Sequence, residues 1–127
     1  VTETIRYIGL AHASVLVRDT RAALAFYCDV LGMAHDDARP DLGFPGAWLR
    51  IGTQQIHLLE LPNPDPVAGR PAHGGRDRHT ALYVADIAPV MRALQTARID
   101  FTRSRSGRAA IFCRDPDGNA LELIESR

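Results

Sequence analysis

Residues 7–17 alternate as a strand does. Leu10, His12, Ser14 and Leu16 share one face, and Ala11, Ala13, Val15 and Val17 the other. Asp19 is a fitting N-cap, and the apolar spacing of Leu24, Tyr27, Cys28 and Leu31 predicts a helix from Thr20 to Leu31 that Gly32 ends. Short strands are predicted near 33–37 and 46–51, and another at 55–61 after the turn Gly52-Thr53-Gln54. Residues 62–77 hold four prolines and no periodicity, which predicts a linker or a lid. The pattern then restarts: a strand at 79–84, Asp86 as cap, a helix over 87–97 with Pro89 in its first turn, and strands near 99–103, 109–114 and 119–125. The turn Asp115-Pro116-Asp117-Gly118 separates the last two.

The order is therefore β-α-β-β-β twice: an α+β chain of two modules, 7–61 and 78–126, joined by the linker 62–77. The repeat is visible in the residues themselves, since His12-Ala-Ser-Val-Leu-Val-Arg-Asp19 aligns without a gap on His79-Thr-Ala-Leu-Tyr-Val-Ala-Asp86. A module of about 50 residues is too small to close a core alone, so the two must pack together or against a second chain.

Composition narrows the function. The 127 residues suit one domain, and 46% hydrophobic with 24% charged residues is ordinary for a soluble globular protein. The formal net charge is zero, which argues against nucleic acid or an anionic membrane as partner. All fifteen basic residues are arginine, which removes lysine Schiff-base chemistry. No apolar stretch reaches the ~18 residues of a membrane span. No signal peptide is visible either, and Cys28 and Cys113 lack CxxC spacing. Free thiols in the cytoplasm are the expectation, with a disulfide neither required nor excluded.

Four residues carry candidate metal chemistry. His12 and His79 open the first strand of each module, and His57 and Glu122 lie in the last, each polar side chain flanked by apolar neighbours. Imidazoles with a carboxylate suit Zn, Ni, Fe or Mn. Gln55 shares the face of His57 and could take its place. Glu122 in an apolar strand needs a partner, either a metal or an arginine. His35 and His73 read as solvated. Arg103, Arg105 and Arg108 cluster in one turn, as an anion clamp or as a solvated loop. Trp48, Phe44 and Tyr83 could line an apolar pocket or simply pack the core.

The run His12-x6-Asp19…Phe26-Tyr27-x3-Leu31-Gly32, the restart at His79 and the closing Asp115-Pro116-Asp117-Gly118-Asn119-x2-Glu122 resemble the vicinal oxygen chelate superfamily. That superfamily includes glyoxalase I, fosfomycin-resistance thiol transferases, methylmalonyl-CoA epimerase, extradiol dioxygenases and bleomycin-resistance proteins. The resemblance covers residues 7–126. It implies paired βαβββ modules curled into a cup around one divalent metal. It also implies a homodimer whose sites can be shared between chains. By position, His12, His79 and Glu122 match the superfamily's commonest ligands, and His57 falls where glyoxalase I has a glutamate. Leu16 and Leu61 replace an arginine and an asparagine of bacterial glyoxalase I, so its glutathione contacts are missing. Ser14 is close to a threonine of the fosfomycin enzymes, and Phe112 replaces their tyrosine.

The implied function is a metal-dependent, glyoxalase-like lyase or isomerase acting on a small oxygen-chelating substrate through an enediolate or oxyanion. Glu122 is the candidate catalytic residue, and Ser14, Trp48, Tyr83, Arg103 and Arg108 are candidates for binding substrate. An Fe(II) extradiol-type dioxygenase and a fosfomycin-type thiol transferase are the alternatives within enzymes. A non-catalytic drug-binding protein is the alternative outside them.

Overall fold

The computed structural model describes residues 3–126. The first module has strands β1 (His12–Val17), β2 (Ala34–Asp36), β3 (Gly46–Ile51) and β4 (Gln54–Glu60); the second has β5 (His79–Val84), β6 (Phe101–Arg103), β7 (Ala110–Arg114) and β8 (Ala120–Glu125). Each set makes one mixed sheet, ordered β1-β4-β3-β2 and β5-β8-β7-β6. In both, the first and last strands of the module pair in parallel, and the other pairs are antiparallel. Helix α1 (Thr20–Leu24) follows β1 and helix α2 (Ile87–Thr96) follows β5. A parallel pair needs a crossover, and the helix of each module provides it. The fold is two βαβββ modules, as the sequence pattern predicts.

The strand expected over 7–17 starts only at His12. Among the described residues its one partner is β4, and the pairing begins at His12↔Gln55. Upstream, Ala11 and Leu10 receive one bond each, from the Gln55 amide and the Gln54 side chain. Among the described residues, those before them join no strand, and Ile5, Tyr7, Ile8 and Leu10 stand 74–97% exposed.

Asp19 caps α1, accepting from the Arg21 and Ala22 amides, and Asp86 caps α2 through the Ala88 amide. After one turn α1 widens into a π-helix over Ala25–Val30. The wider turn is closed by Leu31 N donating to Phe26 O, five residues back. Two consecutive aromatics, Phe26 and Tyr27, are thereby both buried. Gly32, at φ +74°, ends the helix as its position predicts.

One core serves both modules. Val17, Phe26, Tyr27, Leu49 and Leu58 from the first pack with Leu94, Ile111, Cys113, Leu121 and Leu123 from the second. Polar bonds lock the same contact. Tyr27 Oη donates to Asp115 Oδ2 at 2.8 Å, Arg18 pairs with Asp117 at 2.9 Å, and Asn119 Nδ2 donates to Leu16 O at 3.0 Å. The Phe-Tyr motif of one module thus meets the Asp-Pro-Asp-Gly turn of the other. Neither cysteine is in a disulfide. Among the described residues no helix is long and apolar enough to cross a membrane.

Candidate metal centre

The two parallel ladders have the same register. Ser14 lies opposite His57, and Ala81, its equivalent in the repeat, lies opposite Glu122. On the far side of each last strand stands an aromatic, Trp48 beside His57 and Phe112 beside Glu122. His57 and Glu122 therefore occupy one structural position, and so do His12 and His79.

In the first module the rings form a stack. The His12 and His57 centroids are 3.8 Å apart at 13°, and Trp48 lies 4.4 Å beyond His57 at 7°. Burial pushes the His57 pKa below its ordinary value, helped by His12 and Arg39 nearby. The imidazole is thus held neutral, the form that ligates a metal. Gln55 Oε1 meets His57 Nε2 at 2.9 Å, and Gln55 Nε2 donates to Asp36 Oδ2 at 2.9 Å. Gln55 thus contacts the His57 ring directly.

In the second module Glu122 is 3% exposed. Its Oε1 lies 3.4 Å from His79 Nε2, and its Oε2 accepts from Arg108 at 3.2 Å. The sequence leaves Glu122 a metal or an arginine as partner, and the structure provides the arginine beside a histidine. Arg108 is therefore more than a solvated loop residue. His79 Nδ1 faces the Asp77 carbonyl at 2.8 Å, which leaves Nε2 toward Glu122. Phe112 meets the His79 ring edge-on at 5.1 Å.

The linker covers this second sheet. His73, expected to be solvated, is half-buried, bonded to Thr102 Oγ1 at 2.7 Å and edge-on to Phe112 at 4.9 Å. Gly74 presses on Phe112, where a Cβ would come within 3.1 Å. Arg70 and Arg114 both pair with Asp77, and Arg114 also reaches the Pro71 carbonyl at 2.6 Å. A proline-rich loop without periodicity gave no sign of these anchors. His35 is exposed, as expected.

Ser14 lines a recess of about 370 Å³ between β1 and β5, opposite His79. Trp48 lines a second recess of about 230 Å³ over His12 and His57. Tyr83, on the His79 face of β5, is 72% exposed, and Arg103 is exposed at the end of β6. The candidate ligands come together as two pairs, His12 with His57 and His79 with Glu122. Among the described residues, no three such side chains gather in one metal-sized group within a single chain.

The model of the Glyoxalase/Bleomycin resistance protein/Dioxygenase superfamily matches residues 9–123. The chain belongs to that superfamily. A protein of Arabidopsis thaliana named Glyoxylase I 4 is 32% identical over 120 residues, 91% of this chain and 69% of that protein. The crystal structure of a Bacillus anthracis protein assigned to the glyoxalase family superposes with a TM-score of 0.80 at 28% identity, covering 98% of this chain and all of the other. The lactoylglutathione lyase of Agrobacterium tumefaciens gives 0.64 at 25% identity, covering 93% of each. Superfamily membership accounts for both the repeat and the matching registers. The reaction depends on what the paired residues hold, because one fold carries many chemistries.

Proposed function

We propose that the protein is a divalent-metal-dependent, glyoxalase-like enzyme for a small substrate with two neighbouring oxygens. Its ligands would be His12, His57, His79 and Glu122, and the metal Zn, Ni, Fe or Mn. The observation that carries this reading is the equivalent register of His57 and Glu122, each beside the histidine of its own module. The donor set fits such an ion. His57 is held neutral by burial, and the buried Glu122 carboxylate sets Oε1 beside His79 Nε2, imidazole and carboxylate being the ligand types such ions take. A bound ion would supply Lewis-acid polarisation of the two substrate oxygens. The chain's own groups would do the rest. Ser14 and Trp48 would line the substrate side, and Arg108 would balance the Glu122 charge. Glu122 Oε1 is the candidate proton carrier. Arg103 and Tyr83, both exposed, have no part in this reading.

A four-residue set needs both pairs, and we place the second pair on another copy of this chain. The exposed run Ile5, Tyr7, Ile8 and Leu10 supports a homodimer, as apolar surface of that extent marks an interface. Elemental analysis of untagged protein tests the reading, alongside Glu122→Gln. About one ion per site, lost in the variant, is the expected result. No ion in either protein after reconstitution with Mn, Fe, Ni and Zn would overturn it. The Arg108–Glu122 pair favours the second reading, a binding cup without catalysis, because it satisfies the carboxylate with no metal present.

A further inference from the structure

The loop between β2 and β3 builds a recess over the first module that its strands alone would not make. Asp36 Oδ1 accepts from the Ala38 amide, and Asp41 Oδ1 from the Gly43 amide, so the loop is folded at both ends. Between these turns Arg39 Nη2 donates to the Phe44 carbonyl at 2.8 Å, and its guanidinium lies 5.2 Å from the Phe44 ring centroid. Gly46 permits this approach. A Cβ there would press on the Leu58 carbonyl and come within 3.0 Å of Arg39 Nη2. The guanidinium, Leu42, Phe44 and Trp48 line the recess together with His12 and His57.

Three properties define what fits. Its volume, about 230 Å³, is below the ~300–1,000 Å³ of clefts that take drug-sized ligands, so the occupant is small. The walls formed by Leu42, Phe44 and Trp48 are apolar and mostly aromatic, which suits a flat hydrocarbon body. Arg39 is the one arginine of the lining, and no acidic side chain is among the described residues that line it. A guanidinium already held by one carbonyl, on an apolar wall, is a preorganised partner for a carboxylate.

We infer that the substrate is a small aromatic or branched 2-hydroxy or 2-oxo carboxylate, its carboxylate bound by Arg39 and its apolar body against Phe44 and Trp48. The inference rests on the proposed function for the vicinal oxygens, but the Arg39 contact does not need the metal. A glutathione conjugate, with two carboxylates and an ammonium on a long peptide, does not match this recess.

Trp48 is the chain's one tryptophan, so its fluorescence reports the recess directly. Titration of metal-free protein with 3-phenyllactate should quench it saturably. The neutral 3-phenyllactamide should bind at least about tenfold more weakly, as should 3-phenyllactate to Arg39→Gln. Arg39→Lys, which keeps the charge, should retain the preference for the acid, and circular dichroism checks that both variants fold. Equal affinity for acid and amide in the wild type would overturn the inference, as would tighter binding of S-lactoylglutathione. Equal affinity of the wild type and a folded Arg39→Gln would do the same. Failure of the metal reading appears separately, in the elemental analysis, and leaves this titration unchanged.

Discussion

Gln55 Oε1 lies 2.9 Å from His57 Nε2, and that contact decides which nitrogen of the ring is free. The Gln55 amide nitrogen is committed to Asp36, whose carboxylate can only accept. The backbone amide of Ala38 leads the contacts that hold Asp36 below the usual carboxylate range, with Gln55 and Arg50 adding to it. The Gln55 oxygen must then accept, so His57 Nε2 carries the proton and Nδ1 keeps the lone pair. Outer partners of this kind orient a metal ligand and hold its tautomer.

Gln55→Ala should release that tautomer. Long-range ¹⁵N spectra should show a single protonated Nε2 in the wild type and a mixture in the variant. Zinc affinity measured by competition with a chelator should fall by about 10- to 100-fold. An unchanged spectrum in the variant would show that Gln55 does not orient the ring.

Arg108 gives Glu122 its cationic partner. Arg108→Ala should lower stability by about 1–2 kcal/mol, since a buried carboxylate loses a donor while the arginine itself is half exposed. A bound divalent ion should recover most of the loss if Glu122 is a ligand. Thermal unfolding with and without added zinc measures both effects.

Tyr27 and Asp115 join the modules, so removing their bond should weaken the fold and leave the half-sites intact. Tyr27→Phe is expected to cost about 1.5–3 kcal/mol in urea denaturation, the range for a bond to a charged group. Unchanged stability would mean that apolar packing alone holds the junction.

The same aspartate makes stability depend on pH. Burial raises the Asp115 pKa despite bonds from Asn119, Tyr27 and the Asp117 amide. A raised folded pKa means that folding takes up a proton between the unfolded value of about 3.9 and the folded one. This group's stabilising contribution is full below the unfolded value and lost as pH rises through the folded value. The stability of wild type relative to Asp115→Asn should therefore be greater near pH 4 than near pH 7. Urea denaturation at the two pH values tests the sign.

The thiols should differ in reactivity. Cys113 is buried, and burial, with Asp115 nearby, pushes its pKa up to about 12. Cys28 is half-buried, its pKa raised less, by burial first and then by Asp29. A disulfide-exchange reagent at neutral pH should label Cys28 slowly and Cys113 only after unfolding. Prompt labelling of both would contradict the packing described for β7.

Local pattern by itself determined the element order, the caps Asp19 and Asp86, the stop at Gly32 and the equivalence of His12 with His79. These depend on neighbours in the chain, and a repeated pattern gives a repeated module. The start of β1 escaped it, because a strand ends where its partner ends, and β4 begins only at Gln54. Glu60 and Glu125, which reach back to the first turns of the two helices at the Thr20 and Ile87 amides, escaped it too. So did Arg39, His73 and the pairing of Arg108 with Glu122, whose partners lie on loops or on strands not set by any period. Only the tertiary structure decided that the four candidate ligands form two pairs. Strand alternation gives each side chain a face, but which strands lie side by side in each sheet, and in what register, decides which side chains meet.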